Sequence, residues 1–106
     1  MKVLKFGGTS IANESSIRNI IDIVKNEKKC VVVVSAISGV TNLLNSCMNK
    51  AKEGGLEFKS EIDKVIEKHI DIINKFFINK SGDQLTLFIK KELNKVEKLL
   101  EGISLI

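Results

Sequence analysis

The chain alternates between short, wholly apolar runs and longer stretches in which apolar residues recur every three or four positions. Val3 to Phe6 is a short apolar run interrupted by Lys5 and stopped by Gly7-Gly8, which reads as a strand ending in a glycine turn. Ile17, Ile20, Ile21 and Val24 then recur at helical spacing and predict a helix over residues 11–27, with Thr9 or Ser10 as its cap. Cys30-Val31-Val32-Val33-Val34 is β-branched and apolar throughout. A strand covered on both faces of a parallel sheet reads this way. Strand, helix and strand within so few residues form a βαβ unit.

After Ser38-Gly39 the period stays helical. Leu44, Cys47, Met48 and Ala51 mark a second helix ended by Gly54-Gly55. Ile62, Val65, Ile66, His69, Ile70, Ile73, Phe76 and Phe77 mark a long amphipathic helix. Ser81-Gly82-Asp83 reads as a turn. Leu85, Phe88, Ile89, Leu93, Val96, Leu99 and Leu100 mark a last helix, closed by Gly102. The two long helices are expected to form an antiparallel hairpin. The apolar residues Ile103 to Ile106 read as the start of a new element. With only two strands in sight, this predicts the front part of a larger domain.

Composition narrows the function classes. At 106 residues the chain fits one domain, and 43% hydrophobic with 28% charged residues is an ordinary globular balance. The net charge is +4, from 17 basic and 13 acidic residues, with Arg18 the single arginine. There is no Trp or Tyr, so stacking platforms for bases are scarce, and the scattered lysines read as solvated helix faces. A nucleic-acid partner is not expected. No apolar stretch is long enough to span a bilayer and no signal pattern opens the chain, so no membrane partner is expected and a reducing, cytoplasmic setting is. Cys30 and Cys47 have no metal spacing and read as buried structural thiols. The single histidine, His69, reads as a hydrogen-bonded core or boundary residue. Glu61, Asp63, Glu67 and Asp71 read as solvated charges, and Phe76-Phe77 as core packing.

Two loops could carry chemistry. Lys5-Phe6-Gly7-Gly8-Thr9-Ser10 joins a strand end, a glycine pair and a helix start. Glycines admit an anion close to the backbone, first-turn N–H groups point at it, Lys5 adds a mobile charge, and Thr9 and Ser10 add hydroxyls. That suits a phosphate, although neither a Walker A loop nor G-x-G-x-x-G is present. A capped tight turn is the alternative. The second loop, Ser35 to Asn42, follows the second strand. Ser35, Thr41 and Asn42 could hydrogen-bond a small polar substrate at the carboxyl edge of the sheet, and capping by Ser38 or Thr41 is the alternative.

Taken together, Lys5-Phe6-Gly7-Gly8-Thr9-Ser10 resembles the opening signature of aspartokinases. Val32-Val33-Val34-Ser35-Ala36, then Gly39, then Thr41-Asn42-Leu43-Leu44, resembles their second signature. The close resemblance covers residues 2–48. Beyond residue 56 it rests on helical character and on Gly102-Ile103-Ser104-Leu105, which is similar to the bifunctional aspartokinase–homoserine dehydrogenases.

The resemblance implies an α/β fold: the front part of the three-layer α/β/α amino-acid kinase sandwich, a parallel βαβ start followed by a long helical hairpin. Residues 1–106 would be the N-terminal portion of an aspartokinase domain, truncated at its C-terminus. It implies ATP and Mg²⁺, with no Mg²⁺ site evident in this chain, and transfer of the γ-phosphoryl group to the side-chain carboxylate of L-aspartate. The product, 4-phospho-L-aspartate, would serve lysine, threonine and methionine biosynthesis. Lys5 would be catalytic. Lys5, Phe6, Gly7, Gly8, Thr9 and Ser10 would hold ATP phosphates, and Ser35 and Thr41 would hold aspartate. The full-length enzyme is expected to be a homo-oligomer, and this chain alone to be inactive. The alternatives are another amino-acid kinase of the same fold and a non-catalytic interaction module.

Overall fold

The computed structural model describes residues 1–106, which divide into two compact units, residues 1–38 and 39–106. In the first unit, strand β1 (Lys2–Phe6) pairs in parallel with β2 (Cys30–Val34), with Lys5 opposite Val33 and Phe6 opposite Val34. Helix α1 (Glu14–Lys25) connects them. The βαβ order therefore stands, with two corrections. Neither Thr9 nor Ser10 caps α1; they belong to a 3₁₀ turn over Gly8–Ser10. The cap is Asn13, whose side chain accepts from the Ser16 N–H at 2.9 Å while Ser16 Oγ accepts from the Asn13 N–H at 3.0 Å. This reciprocal pair fixes the helix start three residues later than the apolar spacing suggests.

The second correction concerns β2. Val31 to Val34 are 40–59% exposed, so β1 and α1 leave both faces of this strand open. Successive side chains point to opposite faces, and a two-stranded sheet with one connecting helix cannot shield both. The composition of a doubly covered strand is present without its cover.

The second unit is a three-helix layer: α2 (Val40–Lys52), α3 (Phe58–Phe76) and α4 (Lys80–Ser104). Its core is built from Cys47 and Ala51 of α2, Phe58, Ile62, Val65 and Ile73 of α3, and Leu93 and Leu100 of α4, which recur at the spacing of one helix face. Gly54 and Gly55 both have positive φ, 88° and 80°, and turn the chain out of α2. Lys59, at the start of α3, pairs with Glu97 at 3.6 Å and Glu101 at 3.3 Å near the end of α4, so the hairpin is antiparallel.

Three details of the hairpin depart from the sequence reading. The link between the helices is Phe77 to Asn79, and Ser81-Gly82-Asp83 forms the first turn of α4, capped by Asn79. Gly102 does not close α4, which continues to Ser104, so no new element begins there. Phe77 lies outside α3 and is 42% exposed, whereas Phe58 is the fully buried aromatic.

Candidate functional site

The functional candidates of the first unit gather where the two parallel strands end. The Ser35 N–H donates to the Phe6 carbonyl at 3.2 Å, and the Ser38 N–H donates to the Ile11 carbonyl at 2.8 Å. These two bonds tie the segment after β2 to the segment after β1. Lys5, Phe6, Gly7, Gly8, Thr9, Ser10 and Ser35 thus share the carboxyl edge of the sheet, where open α/β sheets bind ligands.

The glycine pair is informative. Gly7 has φ −75° and Gly8 does not have positive φ, so any residue could adopt either backbone conformation. A Cβ built on either would meet nothing within 4 Å. Neither conformation nor packing within this chain requires glycine there, and open space lies above both. The turn that follows is closed by the Ser10 N–H to the Gly7 carbonyl at 3.0 Å and the Ile11 N–H to the Gly8 carbonyl at 3.1 Å. The N–H groups of Gly8 and Thr9 precede these bonds, as orphan donors do at any helix start. They belong to a short 3₁₀ turn and not to α1, which corrects the expected geometry. Lys5 is exposed and has no carboxylate partner, and the Ser35 side chain is exposed without a hydrogen bond.

Thr41 lies in the second unit, in the first turn of α2. Gly39, with φ 88°, caps that helix without a side-chain bond, so neither Ser38 nor Thr41 does the capping. The Thr41 side chain is exposed and makes no hydrogen bond. Asn42 lies elsewhere on the helix surface, on a cavity of about 460 Å³ between α2 and α3 that is also lined by Gly39, Leu43 and Lys68.

The remaining titratable candidates are structural. His69 is half-buried, and its Nδ1 lies 2.8 Å from the Val65 carbonyl, the boundary role its position suggested. Cys47 is buried, and burial pushes its thiol up, with the nearby Glu61 adding to the shift. Cys30 is half-buried. Glu61 departs from expectation. It is buried, and its carboxylate accepts from Lys50 at 3.0 Å and Lys64 at 3.5 Å. The Lys50 hydrogen bond is the main cause that holds its carboxyl below the ordinary value. The sequence signal was there in part, since Glu61 sits beside Ile62 at the edge of the apolar face. No group of three or more His, Cys, Asp or Glu side chains is placed to hold a metal ion, and no helix is long and apolar enough to cross a membrane.

Comparison with known proteins gives consistent findings. The model of the amino acid kinase family matches residues 1–100. The bifunctional aspartokinase/homoserine dehydrogenase 2 of Arabidopsis thaliana, a chloroplastic protein, is 32% identical over 92% of this chain and 10% of its own length. An aspartokinase of Chlamydia trachomatis is 37% identical over 92% of this chain and 22% of its own. The structure of Escherichia coli aspartokinase III in complex with aspartate and ADP superposes with a TM-score of 0.82 at 27% identity, covering 99% of this chain and 23% of that one. The chain therefore spans between 10% and 23% of the length of these relatives.

Proposed function

Because the chain belongs to the amino acid kinase family, we propose that it is the phosphate- and acceptor-binding part of an aspartate kinase. In this reading residues 1–106 are the N-terminal portion of an aspartokinase domain. A side-chain carboxylate oxygen of L-aspartate attacks the γ-phosphorus of ATP, the bond to the bridging oxygen breaks, and ADP leaves. The product is the acyl phosphate 4-phospho-L-aspartate, a precursor for lysine, threonine and methionine. The observation that carries the reading is the open glycine pair beside Lys5, glycines that neither backbone conformation nor packing explains.

Phosphoryl transfer depends on positioning and charge stabilisation more than on covalent help from the protein. Lys5 neutralises charge on the phosphoryl group in flight. Gly7 and Gly8 let the phosphates approach the backbone, and Phe6, Thr9 and Ser10 complete the loop around them. The resemblance to aspartokinases assigns aspartate binding to Ser35 and to Thr41, whose side chains are both exposed. Mg²⁺ accompanies ATP in such chemistry, but these 106 residues bring together no acidic set to hold it, so no step is assigned to it. The names of the relatives, aspartokinases and aspartokinase/homoserine dehydrogenases, support aspartate as acceptor. A cytoplasmic location and a homo-oligomeric full-length enzyme belong to the same proposal.

Lys5→Ala in the enzyme containing this chain tests the reading. Turnover is expected to fall by about 10² to 10³ with the far-UV circular dichroism unchanged, the usual scale for losing one charge-stabilising group. Thr41→Val is expected to weaken aspartate more than ATP. Near-normal turnover in Lys5→Ala, or equal loss of both ligands in Thr41→Val, contradicts the assignment.

A further inference from the structure

The α3–α4 hairpin carries a groove of about 750 Å³ on its outer surface. Its floor is apolar: Ile66 and Ile70 of α3 and Leu87 of α4, the last 68% exposed. Its two rims differ in sign. Asp63 and Glu67 line the α3 side, and Lys90 and Lys91 line the α4 side. None of these four charges forms an ion pair within the chain, although other acids of the hairpin do: Glu97, at the far end of the groove, is taken by Lys59.

We infer that this groove is a self-association surface whose occupant is the same face of a second copy of the chain. The face is self-complementary in charge, and the register of the hairpin brings its opposite rims level. The contacts of Lys59 with Glu97 and Glu101 set the antiparallel alignment. Counting equal steps inward from them places Glu67 level with Lys91, and Ile70 within one residue of the level of Leu87. A two-fold axis parallel to the helices and running between two such faces lays α3 of each copy over α4 of the other at the same height. The acidic rim then meets a basic rim twice. Leu87 meets the partner's Ile70, and the two hairpins close into a four-helix bundle. This is an isologous contact, the commonest symmetry of soluble oligomers. A partner presenting two rims of one sign would leave one of these rims opposed by like charge, so the mixed pattern selects a copy of itself. The association is independent of the kinase reading.

The test is sedimentation equilibrium on the 106-residue chain and two charge-reversal variants. Asp63→Lys/Glu67→Lys makes both rims basic, and Lys90→Glu/Lys91→Glu makes both acidic. These residues are exposed and unpaired, so reversal removes no bond within the chain, and far-UV circular dichroism checks the fold. The parent is expected to form a dimer that weakens at high salt. Each variant alone should dimerise at least about tenfold more weakly, and an equal mixture of the two should recover a heterodimer. A parent chain that remains monomeric at every concentration overturns the inference. So does a dimer untouched by both reversals, which would place the contact elsewhere, the exposed face of β2 included.

Discussion

Two glycines of α4 should respond in opposite directions to the same substitution. Alanine exceeds glycine in helix propensity by about 1 kcal/mol in a helix interior, less near an end. At Gly102 nothing lies within 4 Å of an added Cβ, and φ is not positive. Gly102→Ala therefore keeps the propensity gain and should stabilise by about 0.5 kcal/mol, reduced because α4 ends two residues later. At Gly82 the added Cβ would lie 2.5 Å from the Phe77 carbonyl oxygen, 3.1 Å from the Phe77 Cβ and 3.2 Å from its carbonyl carbon. Two of these three atoms are backbone, in the short link that joins α3 to α4, so no rotamer change relieves the overlap. Overpacking of this kind costs about 1–3 kcal/mol, which exceeds the propensity gain. Gly82→Ala should therefore destabilise by about 1–2 kcal/mol net. Urea unfolding followed by far-UV circular dichroism reads the helical layer directly, and both variants belong in one experiment with the parent. If Gly82→Ala proves as stable as Gly102→Ala, the close approach of α4 to the Phe77 carbonyl is wrong.

Other expectations follow from the buried polar groups. Glu61 is held below its ordinary 4.5 by Lys50, so its stabilising pair is complete above that value and is lost as pH falls through its depressed folded-state value. Acid unfolding should show this loss, and Glu61→Gln should flatten that part of the stability–pH curve; an unchanged acid limb would exclude the pair as its source. Cys47 is buried with its thiol pushed up, so a thiol reagent should label the half-buried Cys30 first, and faster labelling of Cys47 would contradict the packing of α2 on α3.

Much of this architecture is legible in the residue pattern, and the failures have identifiable causes. Cys30 to Val34 announces a strand by β-branching alone, and Gly54-Gly55 ends α2 because both positions need positive φ. The start of α1 is ambiguous in sequence because Thr9, Ser10 and Asn13 all cap well. The reciprocal bonds between Asn13 and Ser16 decide it. Ser81-Gly82-Asp83 has turn chemistry, yet Asn79 caps ahead of it, and the glycine serves close packing against Phe77 rather than a turn. Gly102 shows the converse: a glycine at negative φ does not stop a helix whose next turn continues. Glu61 reads as solvated because its partner Lys50 lies on another helix, a pairing that one-dimensional spacing does not encode.

The same limit applies to the candidate site. The loop from Lys5 to Ser10 and the position of Ser35 were visible as motifs. That nothing in the fold of this chain demands glycine at Gly7 or Gly8 is visible only in three dimensions.

That point supplies the most direct measurement, aspartate-dependent release of ADP from ATP by the enzyme containing this chain, with and without Gly8→Ala. An added Cβ at Gly8 meets nothing in the fold, so the thermal midpoint should stay unchanged while phosphoryl transfer falls at least about tenfold, because the methyl group occupies the space the phosphates need. ADP release that does not require aspartate, or that survives Gly8→Ala intact, would contradict the account.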